Sequence, residues 1–223
     1  MSRHISGEYD KELDSLQSTF TMLGGLAEQQ LDKAMRAFLT NDSNLAAEVR
    51  ATELQINRHA VELDRNATFV IARRQPAAAD LRLVVGLLKN STDIERVGDE
   101  AERIAKLSDQ VSPYDSSRSY HSDLTEMHAK SSVALRNSLD VYARLDVENA
   151  LKTIAADREI DELYDTVVKL AIDEMSKNHS TLTDDLSIIW VARSLERISD
   201  HAKNICENVV YLVHGQTIIH NVQ

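Results

Sequence analysis

The chain has 223 residues and a formal net charge of −11, with 27% charged residues but only 6 Gly, 2 Pro and 4% aromatic residues. Strand-rich folds use more turn residues and more β-branched or aromatic runs, so this composition predicts an all-α protein large enough to bury a core. The acidic balance, without a strong cluster of Lys and Arg, argues against nucleic acid as a partner.

Apolar periodicity and turn residues predict six long helices. In chain order they span residues 5–39, 43–74, 76–108, 122–144, 146–178 and 183–214. Pro76 is placed in the first turn of the third helix, where its missing N–H would lack a partner anyway. In the sixth helix, apolar residues alternate at spacings of three and four from Ile188 to Leu212, which is typical of left-handed bundle packing. The third helix repeats this apolar seam from Leu83 to Ile104, interrupted by Asn90.

The two halves of the chain repeat each other. Residues 94–99 recur 101 positions later as residues 195–200, and residues 53–57 correspond to residues 157–161. We therefore predict two tandem, sequence-related three-helix bundles of antiparallel helices. The first bundle comprises residues 1–110 and the second residues 122–223, joined by a serine-rich linker at 111–121.

Acidic side chains occupy matching places in both halves. Residues at i and i+4 lie on one helix face, so each pair presents two oxygen ligands side by side. The candidate ligands are Glu53, Asn57, Glu95 and Asp99 in the first half and Asp157, Asp161, Glu196 and Asp200 in the second. Carboxylates converging between two helices form a hard, oxygen-only site suited to Mg²⁺, Mn²⁺, Ca²⁺ or iron. Because Asn57 contributes no charge where the second half has Asp161, the second half is expected to bind metal better.

A surface charge network is the alternative interpretation of these acids. With 36 acidic residues in the chain, about six such i, i+4 acid pairs should arise by chance. Recurrence in both halves is what favours a cation site. His201 is expected to point away from the acids, Cys206 to be a small buried group, and Trp190 to be a packing residue.

A single cysteine excludes an internal disulfide and is typical of a reducing cytosol. The N-terminal residues lack the apolar core of a secretory signal, and the longest apolar stretches are too short to span a bilayer. We expect a cytoplasmic protein that meets a membrane only through a partner.

These features resemble the PhoU family of phosphate-signalling proteins, over nearly the whole chain. The matching segments are residues 4–7, 24–29, 73–82 and 192–197, together with the doubled Glu-Arg-x-x-Asp motifs that begin at Glu95 and Glu196. The resemblance implies two three-helix bundles and a cytoplasmic regulator without enzyme activity.

The resemblance also implies partners. Such proteins couple the ATPase subunit of a phosphate-specific ABC transporter to a sensor histidine kinase. They keep phosphate-starvation genes off when phosphate is plentiful, and they restrain phosphate uptake. We also expect a homodimer.

The family's metal motif is an acid followed four residues later by Asp, and some relatives hold iron or zinc clusters there. It maps onto Glu95/Asp99, Glu196/Asp200 and Asp157/Asp161, while Glu53/Asn57 departs from it at the second position. Two other classes stay open from the residues alone: a carboxylate-bridged metalloenzyme, such as a phosphatase or oxidoreductase, and a metal-free helical scaffold.

Overall fold

A computed structural model describes residues 7–109 and 113–216 of the chain. The helices are α1 (Gly7–Thr40), α2 (Ser43–Arg74), α3 (Ala78–Ser108), α4 (His121–Arg144), α5 (Val147–Lys177) and α6 (Leu182–His214). A single 3₁₀ turn, His179–Thr181, precedes α6. The predicted helix start at Ile5, residues 111 and 112 of the predicted linker, and residues 1–6, 110 and 217–223 of the two predicted bundles lie outside the described residues. The six helices within the described ranges confirm the predicted all-α class.

The same turn joins the first two helices of each bundle. Asn41 and Leu145 adopt left-handed backbone conformations, with φ of 53° and 52°, and thereby end α1 and α4. The next residue then caps the following helix. The Asp42 carboxylate accepts hydrogen bonds from the backbone N–H groups of residues 44 and 45, and Asp146 accepts one from that of residue 149. These acids satisfy amide groups that have no partner inside the helix.

The predicted start of α3 at Pro76 is wrong by two residues. Gln75 takes a left-handed conformation with φ of 48° and caps α2 through its N–H to the Ile71 carbonyl oxygen. Ala78 also has a positive φ, 47°, which a regular helix does not continue through. The helix α3 therefore cannot extend back to the proline, and it begins at Ala78. Pro76 therefore belongs to the connection between α2 and α3.

The predicted apolar seams of α3 and α6 lie in the core. In α3 the buried seam residues are Leu83, Leu87, Asn90, Ile94, Val97, Ala101 and Ile104. In α6 they are Ile188, Val191, Leu195, Ile198, Ala202, Ile205 and Val209, with Leu212 partly buried against them. Helices α1 to α3 pack on one another as the first bundle, and α4 to α6 as the second.

Helices α3 and α6 also pack on each other and join the two bundles. Asn208 donates to Asn90 Oδ1 over 2.7 Å, His201 Nδ1 lies 2.9 Å from Asp93 Oδ1, and Ser194 donates to Glu100 Oε2 over 2.8 Å. Because residue numbers rise along α3 as they fall along α6, the two helices are antiparallel.

A second contact between the bundles joins α1 and α4. The Glu28 carboxylate binds the guanidinium of Arg136, and His128 Nε2 lies 3.4 Å from Asp32 Oδ1. Gly24 provides the closest approach, since a Cβ there would lie 2.5 Å from Leu139 Cδ2. A glycine is therefore required at this position for the leucine to pack as it does.

Candidate functional site

Asp157 of α5 is the buried centre of the acidic group in the second bundle, with 3% of its surface exposed. Ser199 Oγ of α6 donates to Asp157 Oδ1 over 2.6 Å. Lys203 Nζ, one turn further along α6, donates to Asp157 Oδ2 over 2.9 Å. Both carboxylate oxygens thus have partners, and an ammonium group balances the buried charge.

The other three candidate ligands of the second bundle and Asp157 form one group of interacting charges. The Glu196 side chain is 14% exposed and accepts a hydrogen bond from Arg193, but its Oε2 is buried without a partner. Burial, and then the charge of Asp200, raise the pKa of Glu196, with smaller contributions from Asp161 and Asp157. Burial also raises the pKa of Asp161, followed by the charges of Asp157 and Asp200. The four predicted residues therefore lie close enough to interact, although Asp161 and Asp200 face solvent.

Glu53 of α2 is the matching acid in the first bundle and is 4% exposed. Gln30 Nε2 of α1 donates to Glu53 Oε2 over 2.9 Å, whereas Glu53 Oε1 is buried without a partner. Burial raises the pKa of Glu53, and the charges of Asp99 and Glu102 raise it further. This carboxylate therefore sits in a negative environment without a balancing ammonium group of the kind that Asp157 has.

The remaining predicted residues of the first bundle are less buried than Glu53. Asp99 pairs with Arg96 on its own helix, with 3.3 Å between carboxylate and guanidinium, and Glu95 is half-buried. Asn57 Oδ1 is buried without a partner. Asp99 and Glu53 thus interact, while Arg96 holds Asp99 toward the surface.

Within residues 7–109 and 113–216, no three His, Cys, Asp or Glu side chains are grouped so as to hold a metal ion by themselves. The assignment of the eight residues to metal binding stays a prediction. The expectation that the second half binds metal better took no account of Lys203, whose ammonium group forms an ion pair with the carboxylate of Asp157.

At two pairs of matching positions the halves have different residues beside the buried acid. With the 101-residue offset of the repeat, Gly98 matches Ser199 and Glu102 matches Lys203. A Cβ at Gly98 would collide with the Glu53 carboxylate in its present position, whereas in the second bundle Ser199 stands at the matching place and donates to Asp157. These positions carry the difference between the two acidic groups.

Sequence reasoning missed Lys203 and Gln30. Lys203 stands at a variable position inside the repeated segment, so comparing residues 102 and 203 directly would have shown the reversal of charge. Gln30 lies on a different helix, and its contact with Glu53 depends on how α1 packs against α2. No spacing within one helix predicts that contact.

The structure also tests three single-residue expectations. His201 points away from the acids and bonds Asp93 across the α3–α6 interface, as expected. Cys206 is buried, and burial raises the pKa of its thiol to about 12, so it is a packing group without thiolate chemistry. Trp190 was expected to be a packing residue, but 52% of its surface is exposed.

A groove of about 680 Å³ lies between α4 and α5. Its lining includes the apolar residues Val133 and Ile160 together with the charged residues Lys130, Lys152 and Glu159. None of the eight predicted ligand residues lines it. The described helices include none that is both long and apolar enough to cross a membrane.

The PhoU domain profile matches the chain twice, over residues 20–108 and 124–209. The chain belongs to the PhoU domain family. Each match covers one bundle and contains that bundle's acidic group, so the repeat seen in the sequence is a repeat of the PhoU domain.

Relatives within the PhoU family match almost end to end. The phosphate-specific transport system accessory protein PhoU homolog of Pseudomonas aeruginosa is 36% identical over 99% of this chain and 91% of its own length. The accessory protein PhoU of Escherichia coli is 34% identical, with the same two coverages.

Two solved structures share this architecture. The crystal structure of PhoU from Pseudomonas aeruginosa superimposes with a TM-score of 0.88 at 36% identity, covering 93% of this chain and all of that one. The phosphate transport system regulatory protein PhoU from Streptococcus pneumoniae gives 0.85 at 26% identity, covering 94% and 98%. Together they confirm the predicted pair of PhoU three-helix bundles.

Proposed function

We propose that this PhoU-family chain is an accessory regulator of phosphate transport that represses the phosphate-starvation response. In this proposal it couples the ATPase subunit of a phosphate-specific ABC transporter to a sensor histidine kinase, and it restrains phosphate uptake. It works at the cytoplasmic face of the membrane and reaches the bilayer only through these partners.

The observation that carries the proposal is the match over 99% of the chain to proteins named as phosphate-specific transport system accessory proteins. Both bundles are included, so the likeness is not limited to one repeat. The solved PhoU structure from Streptococcus pneumoniae is named a regulatory protein of phosphate transport, which supports the regulatory part.

The chemistry of the described residues supports a role through binding and not through catalysis. Cys206 is buried with its thiol protonated, and Asp157 is held by Lys203 and Ser199. The groove between α4 and α5 is lined by none of the paired acids. A general acid or base must reach a substrate, whereas both oxygens of the buried Asp157 are already bonded to α6.

A deletion strain tests the repressor function directly. A reporter driven by a phosphate-starvation promoter should rise toward its starvation level in phosphate-rich medium when this gene is deleted, and return when it is restored. A deletion strain that keeps the reporter repressed at high phosphate would contradict the proposal.

Co-purification tests the partners. A tagged chain should retain the transporter ATPase subunit and the sensor kinase, and the amounts retained should differ between high and low phosphate. Retention of neither protein under both conditions would contradict the coupling role.

A further inference from the structure

We propose that the cavity between α3 and α6 binds a small zwitterion, an amino acid whose ammonium group pairs with Glu207 and whose carboxylate pairs with Lys89 and Asn90. The cavity lies between the two bundles, so its ligand contacts both of them. This binding is separate from the proposed regulatory role, which other experiments test.

A cavity of about 520 Å³ lies between α3 and α6, towards the C-terminal end of α6. Small-molecule sites in proteins commonly have volumes of about 300–1,000 Å³ and often lie where two domains meet. Every side chain that lines this cavity is polar, including Lys89 and Asn90 of α3 and Glu207 and Tyr211 of α6. The cavity therefore suits a small polar ligand. None of the eight residues predicted to bind metal lines it.

Asn90 contributes a buried donor without a partner to this cavity. Its side chain is fully buried in the seam of α3, and its Oδ1 accepts a hydrogen bond from Asn208 over 2.7 Å. Its Nδ2 has no hydrogen-bond partner among the described residues. Most buried polar groups in folded proteins have a partner, so this amide group calls for an acceptor from outside the chain. A carboxylate oxygen of a ligand is such an acceptor.

Two opposite charges of the lining lack a charged partner. Lys89 Nζ lies 5.7 Å from the centroid of the Tyr211 ring and forms no ion pair with a carboxylate of the described residues. The half-buried Glu207 carboxylate has neither a hydrogen bond nor an ion pair in the described part of the chain. Burial raises the pKa of Glu207, and Lys203, whose charge lowers it, is itself bonded to Asp157. One free cation and one free anion are complementary to a zwitterion.

A second carboxylate in the lining disfavours anionic ligands. His201 Nδ1 lies 2.9 Å from Asp93 Oδ1, and Asn204 donates to the same oxygen over 3.0 Å, so Asp93 belongs to the contact between α3 and α6. Asp93 and Glu207 together outweigh Lys89, the one cation among the described residues that line the cavity. Inorganic phosphate is therefore repelled, whereas an amino acid with a neutral or basic side chain brings no net negative charge.

Isothermal titration calorimetry of the full chain with glycine, β-alanine, γ-aminobutyrate, lysine and arginine tests the proposal. These probes differ in the separation of ammonium and carboxylate and in side-chain charge. We expect saturable binding of at least one of them, with one site per chain. The methyl ester and the N-acetyl derivative of that amino acid each lack one charge and should bind about tenfold more weakly or worse. Inorganic phosphate should not compete with it.

Variants of the lining locate the site. Lys89→Gln and Glu207→Gln each remove one of the free charges and should weaken binding by about tenfold or more. Lys130→Gln and Glu159→Gln are the matched controls, because they remove the same charges from the groove between α4 and α5. The controls should leave the affinity unchanged. Circular dichroism checks that each variant is folded.

Three results would overturn the proposal. The first is that none of the five amino acids binds, and the second is that the affinity is the same in Lys89→Gln and Glu207→Gln as in the unaltered chain. The third is that inorganic phosphate displaces the bound amino acid. Each result concerns the cavity alone, so the repressor function, which the reporter strain tests, is unaffected by it.

Discussion

Arg197 of α6 binds Glu100 of α3 across the interface between the bundles, with 2.8 Å between guanidinium nitrogen and carboxylate oxygen. Glu100 is buried, and it also accepts from Ser194 and from Arg103 of its own helix. The matching arginine of the first bundle, Arg96, instead bonds Asp99 within its own helix. Of the two matching arginines, Arg197 therefore links the bundles, whereas Arg96 bonds only within its own helix at the surface.

Removing Arg197 is expected to weaken the contact between bundles. Arg197→Ala should lower the free energy of unfolding by about 1–2 kcal/mol, since hydrogen bonds to charged groups contribute roughly 1.5–3 kcal/mol and this side chain is half exposed. Arg96→Ala is the matched control and should change stability by less than about 0.5 kcal/mol. Urea unfolding followed by circular dichroism measures both, and equal losses would argue against the interface role.

Neighbouring glycines in α1 give a test of how closely α4 packs. Gly25→Ala should raise the free energy of unfolding by up to about 1 kcal/mol, because alanine is the better helix former and a Cβ there meets no atom within 4 Å. Gly24→Ala should give no such gain, because its Cβ would lie 2.5 Å from Leu139 Cδ2. Equal stabilisation by the two substitutions in thermal unfolding would mean that Leu139 does not pack there.

Asn208 connects the seams of α6 and α3 by donating to Asn90 Oδ1 over 2.7 Å and to the Gly86 carbonyl oxygen over 3.0 Å. Asn208→Ala should cost about 1–3 kcal/mol, since it leaves buried acceptors unpaired. Asn204→Ala, which removes an exposed bond to Asp93, serves as the control and should cost less. Urea midpoints of the two variants should therefore fall in that order, and the reverse order would contradict this reading of the seam.

His128 predicts a loss of stability in mild acid. Burial lowers its pKa in the folded state, although the nearby charge of Asp32 opposes the shift. The unfolded chain therefore takes up the proton first, so stability is fully present above pH of about 6.5 and is lost as the pH falls toward the lower folded pKa.

Comparison with His128→Gln isolates this effect. The difference in urea midpoint between pH 7 and pH 5 should be larger for the unaltered chain than for the variant, because all other titrating groups are common to both. A variant that loses as much stability as the unaltered chain over this range would show that His128 is not responsible.

The helices were predictable because their determinants are local. Apolar spacing and the acids at positions 42 and 146 define most helix ends to within two residues. The start of α3 was misplaced at Pro76 because Gln75 and Ala78, on either side of it, adopt positive φ. The sequence of alanines after the proline does not predict that conformation. The packing role predicted for Trp190 failed because α6 carries more apolar residues than the neighbouring helices cover.

The candidate site was predictable only in part. Glu53 and Asp157 lie at matching buried positions, as the repeat indicated. Their partners Gln30 and Lys203 decide the chemistry, and they differ between the halves or come from another helix. Similarity between repeats thus located the acids, whereas the differences between repeats determine what balances them.

The α3–α6 contact also restricts which bundle pairs with which. Glu100 faces Ser194 and His201 faces Asp93, and these are the same pair of positions seen from the two halves. If two copies of the first bundle joined through this surface, Glu100 would meet Asp93 at both ends, and carboxylates would oppose each other. The first bundle is therefore poorly suited to pair with a second copy of itself through this surface, whereas Ser194 and His201 of the second bundle meet its acids without opposing charge.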